Sequence, residues 1–198
     1  MSKRNNGIGK MTALALLGAI VVVLQIICTF IKFGPFSITL ALVPVVIGAA
    51  IYGWKVGAGL GFIFSAVVFI SGIIGWDGGF INMMMQYNPV ATVLVCFGKG
   101  TAAGLVAGLL YRPVSKANDT VAAIVAGAAA PIVNTGLFAA TMLTVFSGFL
   151  SQNATANGYA SPVVMLFTAW IGVNFIVEFA TNLVLSSVTV KIARLFAK

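Results

Sequence analysis

The chain has 198 residues, of which 61% are hydrophobic and 7% charged, with a mean hydropathy of +1.12 and a formal net charge of +8. A soluble domain averages about 45–50% apolar and about 25% charged residues, so no soluble core of this size could hide so much apolar surface, and the bilayer must be the solvent for most of it. With no His, three acidic residues and no GxxxxGK[ST] loop, composition argues against a metal centre, a hydrolytic site and ATP hydrolysis by this chain itself.

The sequence reads as an all-α integral membrane protein, a six-transmembrane-helix bundle forming a single domain over 1–198. Its apolar runs are long and unbroken, unlike the roughly ten-residue alternating strands of a membrane barrel. The first run, 11–31, follows Lys3, Arg4 and Lys10. It exceeds the 7–15-residue apolar region of a secretory signal, and no small-x-small cleavage site follows, so it reads as a retained helix. A break at 32–37 leads to a short second helix, 38–52, carrying Pro44. A tight turn at Gly53, Trp54 and Lys55 precedes a third helix, 56–74.

Residues 75–89 read as a longer loop with Trp76, Asp77, Phe80, the run Met83 to Met85, and Tyr87. The fourth helix is 90–111. After a polar turn comes the fifth, 121–149, with Pro131 inside it. A polar, uncharged loop at 151–162 precedes the sixth, 163–196, which spans and then continues as a cytoplasmic extension. Both cysteines, Cys28 and Cys96, sit inside apolar segments and read as packing residues.

Charge fixes the expected orientation. With the N-terminus inside, the inner turns carry Lys3, Arg4, Lys10, Lys55, Arg112, Lys116, Lys191, Arg194 and Lys198, and the outer loops carry Lys32. That asymmetry follows the positive-inside rule for six spans, places both termini in the cytoplasm, and assigns the positive charge to anionic headgroups rather than nucleic acid. The expected location is the plasma membrane, multi-pass.

Ionisable groups inside membrane segments are costly and mark function by default. Two occur here, Lys99 and Glu178. At 1.5 Å per residue, Lys99 lies ~14 Å and Glu178 ~22 Å from the outer ends of their helices. Asn174, Glu178 and Asn182 recur at i, i+4 and i+8 on one helix face, and Trp170 and Ser186 extend the stripe. Asn134, three residues after Pro131, lies ~21 Å from the outer end of its helix. Polar groups from three helices therefore reach similar depth. They are read either as a structural Lys99–Glu178 ion pair with interhelical Asn bonds, or as a ligand cavity open to the outside. Aromatic residues of the outer segments, Phe36, Trp76, Phe80, Tyr87 and Tyr159, favour the cavity as a lid, although each alone reads as an interfacial belt. Gly100, Gly104 and Gly108, and Gly57 with Gly61, form GxxxG spacings read as close packing within the chain.

Three segments together resemble one family. ITLALVPVVIGAAIYGWKVGAGLGF (38–62), GKGTAAGLVAGLLY (98–111) and PIVNTGLF (131–138) are similar to helices two to five of the substrate-binding (S) components of energy-coupling factor (ECF) vitamin transporters. Ala15-x-x-x-Ala19 matches the AxxxA motif by which such components dock on a transmembrane coupling subunit.

The resemblance implies a protein that is not an enzyme and needs no cofactor or metal. It implies capture of a vitamin-like small molecule from outside, and delivery inward with the coupling subunit and two cytoplasmic ATPases. Lys99 and the Pro-x-x-Asn-Thr segment at 131–135 are most like the pantothenate subgroup. The expected ligand-facing residues, from the polar stripe, the outer aromatics and the resemblance together, are Lys99, Asn134, Asn174, Glu178, Trp170, Trp76, Tyr87 and Phe36. One cation suits a monoanion, with Asn134 and Asn174 for its amide and hydroxyl groups. Glu178 suits an amine-bearing ligand, so a thiamine precursor (HMP), pyridoxine or a queuosine precursor stays open. Sparse aromatics within the spans speak against riboflavin, and a single cation against folate. From other classes, a stand-alone secondary transporter with a Lys99–Glu178 proton relay would call for an inverted repeat, which the sequence does not display. A membrane enzyme is disfavoured by the lack of His. A structural membrane subunit would need only the ion pair.

Overall fold

A computed structural model describes residues 2–33, 36–37 and 39–196, with side chains described for 9–31, 39–186, 188 and 190. The described chain is helical apart from one short antiparallel ladder. In chain order it runs α1 (Ser2–Thr29), β1 (Lys32–Phe33), β2 (Phe36–Ser37), α2 (Leu42–Tyr52), α3 (Trp54–Ile74), α4 (Phe80–Tyr87), α5 (Pro89–Val114), α6 (Asp119–Thr144), α7 (Ser147–Ala156), α8 (Pro162–Met165), a π-helical turn (Leu166–Trp170) and α9 (Gly172–Phe196). The strands pair Lys32 with Ser37 and Phe33 with Phe36.

Among the described residues, four helices are long and apolar enough to cross a membrane: 9–29 of α1, and α3, α5 and α6. Residues 162–170 and 172–186, bent by 44° at their junction, make a fifth if counted as one span. The chain is a multi-pass membrane protein. At 11 residues, α2 measures ~16 Å, about half of a ~30 Å hydrocarbon core. It starts at Leu42 rather than 38, and it sits inside the bundle. Ala41, Leu42, Val45 and Val46 are fully buried, packed with Val21 of α1, Phe64 of α3, Ala103 and Ala107 of α5 and Ala126 of α6.

The expected GxxxG contacts form between α3 and α5. A Cβ on Gly61 would run into the backbone carbonyl of Gly100, and one on Gly57 into that of Gly104. The two backbones therefore touch, as small residues permit in lipid. Gly127 similarly brings α6 against the Asn182 carbonyl of α9, 2.9 Å from where a Cβ would stand.

Three segments differ from the sequence expectation, each for a local reason. The loop expected at 75–89 contains α4. Asp77 caps its start, with Oδ1 accepting from the Gly79 N–H and Oδ2 from the Ile81 N–H, both at 2.8 Å. Phe80, Ile81 and Met84 bury one face of this helix. The fifth helix does not run to 149: the Phe146 N–H reaches back five residues to the Thr141 carbonyl, the chain turns, and α7 begins. The polar stretch after 151 is partly helical, and its uncharged side chains return to carbonyls four residues back. Ser151 Oγ bonds the Ser147 carbonyl at 2.9 Å and Thr155 Oγ1 that of Ser151 at 3.1 Å. The sixth segment is broken by the π turn, where the Ile171 N–H bonds the Leu166 carbonyl five residues back.

Candidate binding site

A second buried cluster lies beside the one around α2. It joins Phe80 and Met84 of α4, Phe138 and Met142 of α6, Phe146, Phe149 of α7, and Met165 and Trp170. Trp170 stands edge-on to Phe80 at 5.1 Å between ring centroids. The site lies against these rings, as two cavities that share Thr39, Lys99 and Phe138.

The larger cavity, about 100 Å³, is lined by α1, α3, α4, α5 and α6. Its walls are mainly apolar, including Phe64, Val68, Ile81 and Met84, with Gln25, Thr29, Ser71 and Asp77 as polar members. The smaller, about 80 Å³, lies between α5, α6 and the broken last segment, and is lined by Asn134, Thr135, Trp170, Ile171, Asn174, Phe175 and Glu178.

Lys99 stands at the junction of the two. Its ammonium lies over the Phe138 ring, 5.3 Å from the centroid, where the ring face attracts a cation. Among the described residues it forms no ion pair with Glu178, although both line the smaller cavity. Glu178 is buried and accepts a hydrogen bond from Asn134 Nδ2 at 3.4 Å. That bond uses the donor end of the Asn134 amide and leaves Oδ1 buried with no partner. In this arrangement the amide nitrogen faces Glu178 and the amide oxygen faces away from it. A buried acceptor left without a donor is costly, and Asn134 is one of the residues lining the smaller cavity.

The whole polar stripe of the last segment is internal. Asn174, Glu178, Asn182 and Ser186 are all buried. Asn174 Nδ2 donates to the Trp170 carbonyl at 3.4 Å, and Asn182 Nδ2 to the Glu178 carbonyl at 2.9 Å. The structure thus brings Lys99, Asn134, Trp170, Asn174 and Glu178 around one cavity. Trp76 and Tyr87 line neither cavity. Trp76 packs on Phe30 at 5.4 Å, and Tyr87 on Phe146 and Phe149 at 5.8 Å. The side chain of Phe36 lies outside the described residues. Ala15 and Ala19 are exposed on the outer face of α1, away from Gly18, which faces α3.

The sequence reading does not single out Gln25, Thr39, Thr135, Phe138 or Phe175. Gln25 carried a usable signal: it is the one amide in the apolar run of 11–31, and the rule that flags polar membrane residues applies to it. Phe138 is four residues after Asn134 and so shares its helix face.

The family model described as "ECF transporter, substrate-specific component" matches residues 9–193. No curated protein matches the chain.

Proposed function

Since the chain belongs to the substrate-specific components of ECF transporters, we propose that it binds pantothenate, with Lys99 holding the carboxylate and Asn134 the amide. Membership alone makes it a transporter subunit rather than an enzyme, one that binds a vitamin or similar micronutrient and works with a membrane coupling subunit and ATPases.

The observation that carries the substrate reading is the pairing of one cation with one orphaned amide oxygen. Lys99 Nζ offers donors to a carboxylate, and Asn134 Oδ1 needs a donor. In pantothenate an amide N–H lies three bonds from the carboxylate carbon, so both groups can meet their partners at the junction of the cavities. Glu178 acts as a positioning residue, because its bond to Asn134 turns the orphaned oxygen toward the ligand. A second reading rests on charge. Two acidic residues, Asp77 and Glu178, line the cavities beside Lys99, and these acceptors favour a ligand that also carries an amine, such as a thiamine precursor or pyridoxine.

The remaining parts of the transport cycle are proposed on the same footing. The chain crosses six times, with the short α2, buried inside the bundle, belonging to one of the crossings. Both termini face the cytoplasm, following the distribution of Lys and Arg. Ala15 and Ala19 dock the coupling subunit, supported by their exposure on α1. Calorimetric titration of the purified protein with pantothenate, thiamine precursor and pyridoxine tests the substrate. Pantothenate is expected to bind wild type, and Lys99→Ala to lose about 2–5 kcal/mol of affinity with its thermal unfolding unchanged. Undiminished binding by a folded Lys99→Ala protein would remove Lys99 from the site.

A further inference from the structure

The pantothenate reading accounts for Lys99 and the smaller cavity and leaves the larger one without a role. Gln25 lines that larger cavity from α1, is 3% exposed, and its Oε1 is buried with no hydrogen-bond partner. Four residues on, Thr29 Oγ1 spends its proton on the Gln25 carbonyl at 2.8 Å, so toward the cavity it can only accept. Asp77 also presents a carboxylate there, with each oxygen already receiving one backbone N–H. Gln25 Oε1, Thr29 Oγ1 and Asp77 therefore offer acceptors, Lys99 supplies the cation at the junction with the smaller cavity, Ser71 and Thr39 add hydroxyls, and the apolar lining includes Phe64, Val68, Ile81, Met84 and Val95.

Resting on the substrate reading above, we infer that the larger cavity is a second compartment of the same binding site, and that Gln25 is its specificity-determining residue. The compartment takes the end of the ligand remote from the acid: a branched, apolar segment that ends in a hydroxyl. The hydroxyl donates to Gln25 Oε1 and satisfies a buried acceptor that is otherwise unpaired. Methyl groups on the ligand meet Val68, Ile81 and Met84. The ligand is thus elongated and crosses the Lys99 junction, with its acid and amide on one side and its hydroxyl end on the other. A site built to bond a hydroxyl discriminates strongly against the analogue lacking it, because its own polar group is then stranded. Gln25 also ties recognition to α1, so the helix that carries Ala15 and Ala19 contacts the ligand directly.

The test is a two-by-two titration of full-length protein in detergent. The probes are pantothenate and its analogue lacking the terminal hydroxyl; the proteins are wild type and Gln25→Met, which keeps length and removes the acceptor. Wild type is expected to prefer pantothenate by about tenfold or more, the factor set by one buried hydrogen bond. Gln25→Met is expected to bind the two probes equally, at the affinity wild type shows for the analogue. The wild-type comparison needs no variant, so it stands even if Gln25→Met fails to fold. Equal binding of both probes by wild type overturns the inference alone, as does a Gln25→Met protein that keeps the wild-type preference. Wild type that leaves pantothenate unbound overturns the substrate reading and this inference together.

Discussion

At the scale of single residues, the site depends on which atoms are left over after the helices have packed. Asn134 gives one end of its amide to Glu178 and leaves the other without a partner. That division predicts coupling between the two. Asn134→Leu and Glu178→Gln should each weaken ligand binding, and the double variant should lose little more than the worse single one, a departure from additivity of about 0.5–3 kcal/mol. Strict additivity in the measured affinities would mean that Glu178 contacts the ligand independently of Asn134. Lys99, Asn134, Asn174 and Glu178 could all be singled out from sequence, because a charged or amide side chain in an apolar run needs a reason. Which of their atoms are satisfied could not, since that depends on rotamers set by contacts across helices, such as the one 44 residues apart in the chain. Phe138 and Thr39 were illegible for the opposite reason: an aromatic ring or a hydroxyl near a membrane segment is unremarkable until something is seen beside it.

At the scale of elements, the crossing of α3 and α5 sets the position of Lys99, which immediately precedes Gly100. Glycine spacing made this contact legible, and the structure places Gly61 against Gly100 and Gly57 against Gly104. Gly61→Val should push the two backbones apart, destabilise the protein by about 1–3 kcal/mol, and lower ligand affinity through displacement of Lys99. Thermal unfolding in detergent, read with and without ligand, would show both effects; an unchanged midpoint would mean that the helices separate freely. Helix ends were harder to read. α4 starts at a cap from Asp77, and in α7 the hydroxyls of Ser151 and Thr155 fold back on their own helix. Both sit in stretches whose polarity and glycine content signal a loop. The π turn before α9 has no sequence signature at all, because its extra residue is absorbed by a five-residue backbone hydrogen bond in a stretch, LFTAW, that reads as ordinary membrane helix.

At the scale of the whole molecule, the residues of α1 proposed for binding and for docking differ in exposure. Gln25 lines the interior cavity, while Ala15 and Ala19 are exposed outside. Replacing Ala15 and Ala19 with Trp should block assembly with the coupling subunit and abolish uptake, yet leave the affinity of the isolated chain for its ligand unchanged. Co-purification of the complex and a separate titration would distinguish the two functions; parallel loss of both would place the alanines in the fold rather than in docking. The membrane class and the bundle could be read from composition because hydropathy alone excludes a soluble core. The count of long spans could not, since α2 is short, internal and as apolar as a true span.

The central claim is that this chain holds a small acid-bearing vitamin between Lys99 and Asn134. Native mass spectrometry of the protein purified from its own membranes tests it most directly, because a tightly held ligand travels with its binder. The account predicts an adduct with the mass of pantothenate on wild type, absent from a folded Lys99→Ala protein. An adduct of a different vitamin that persists in Lys99→Ala would contradict it and move recognition to Glu178.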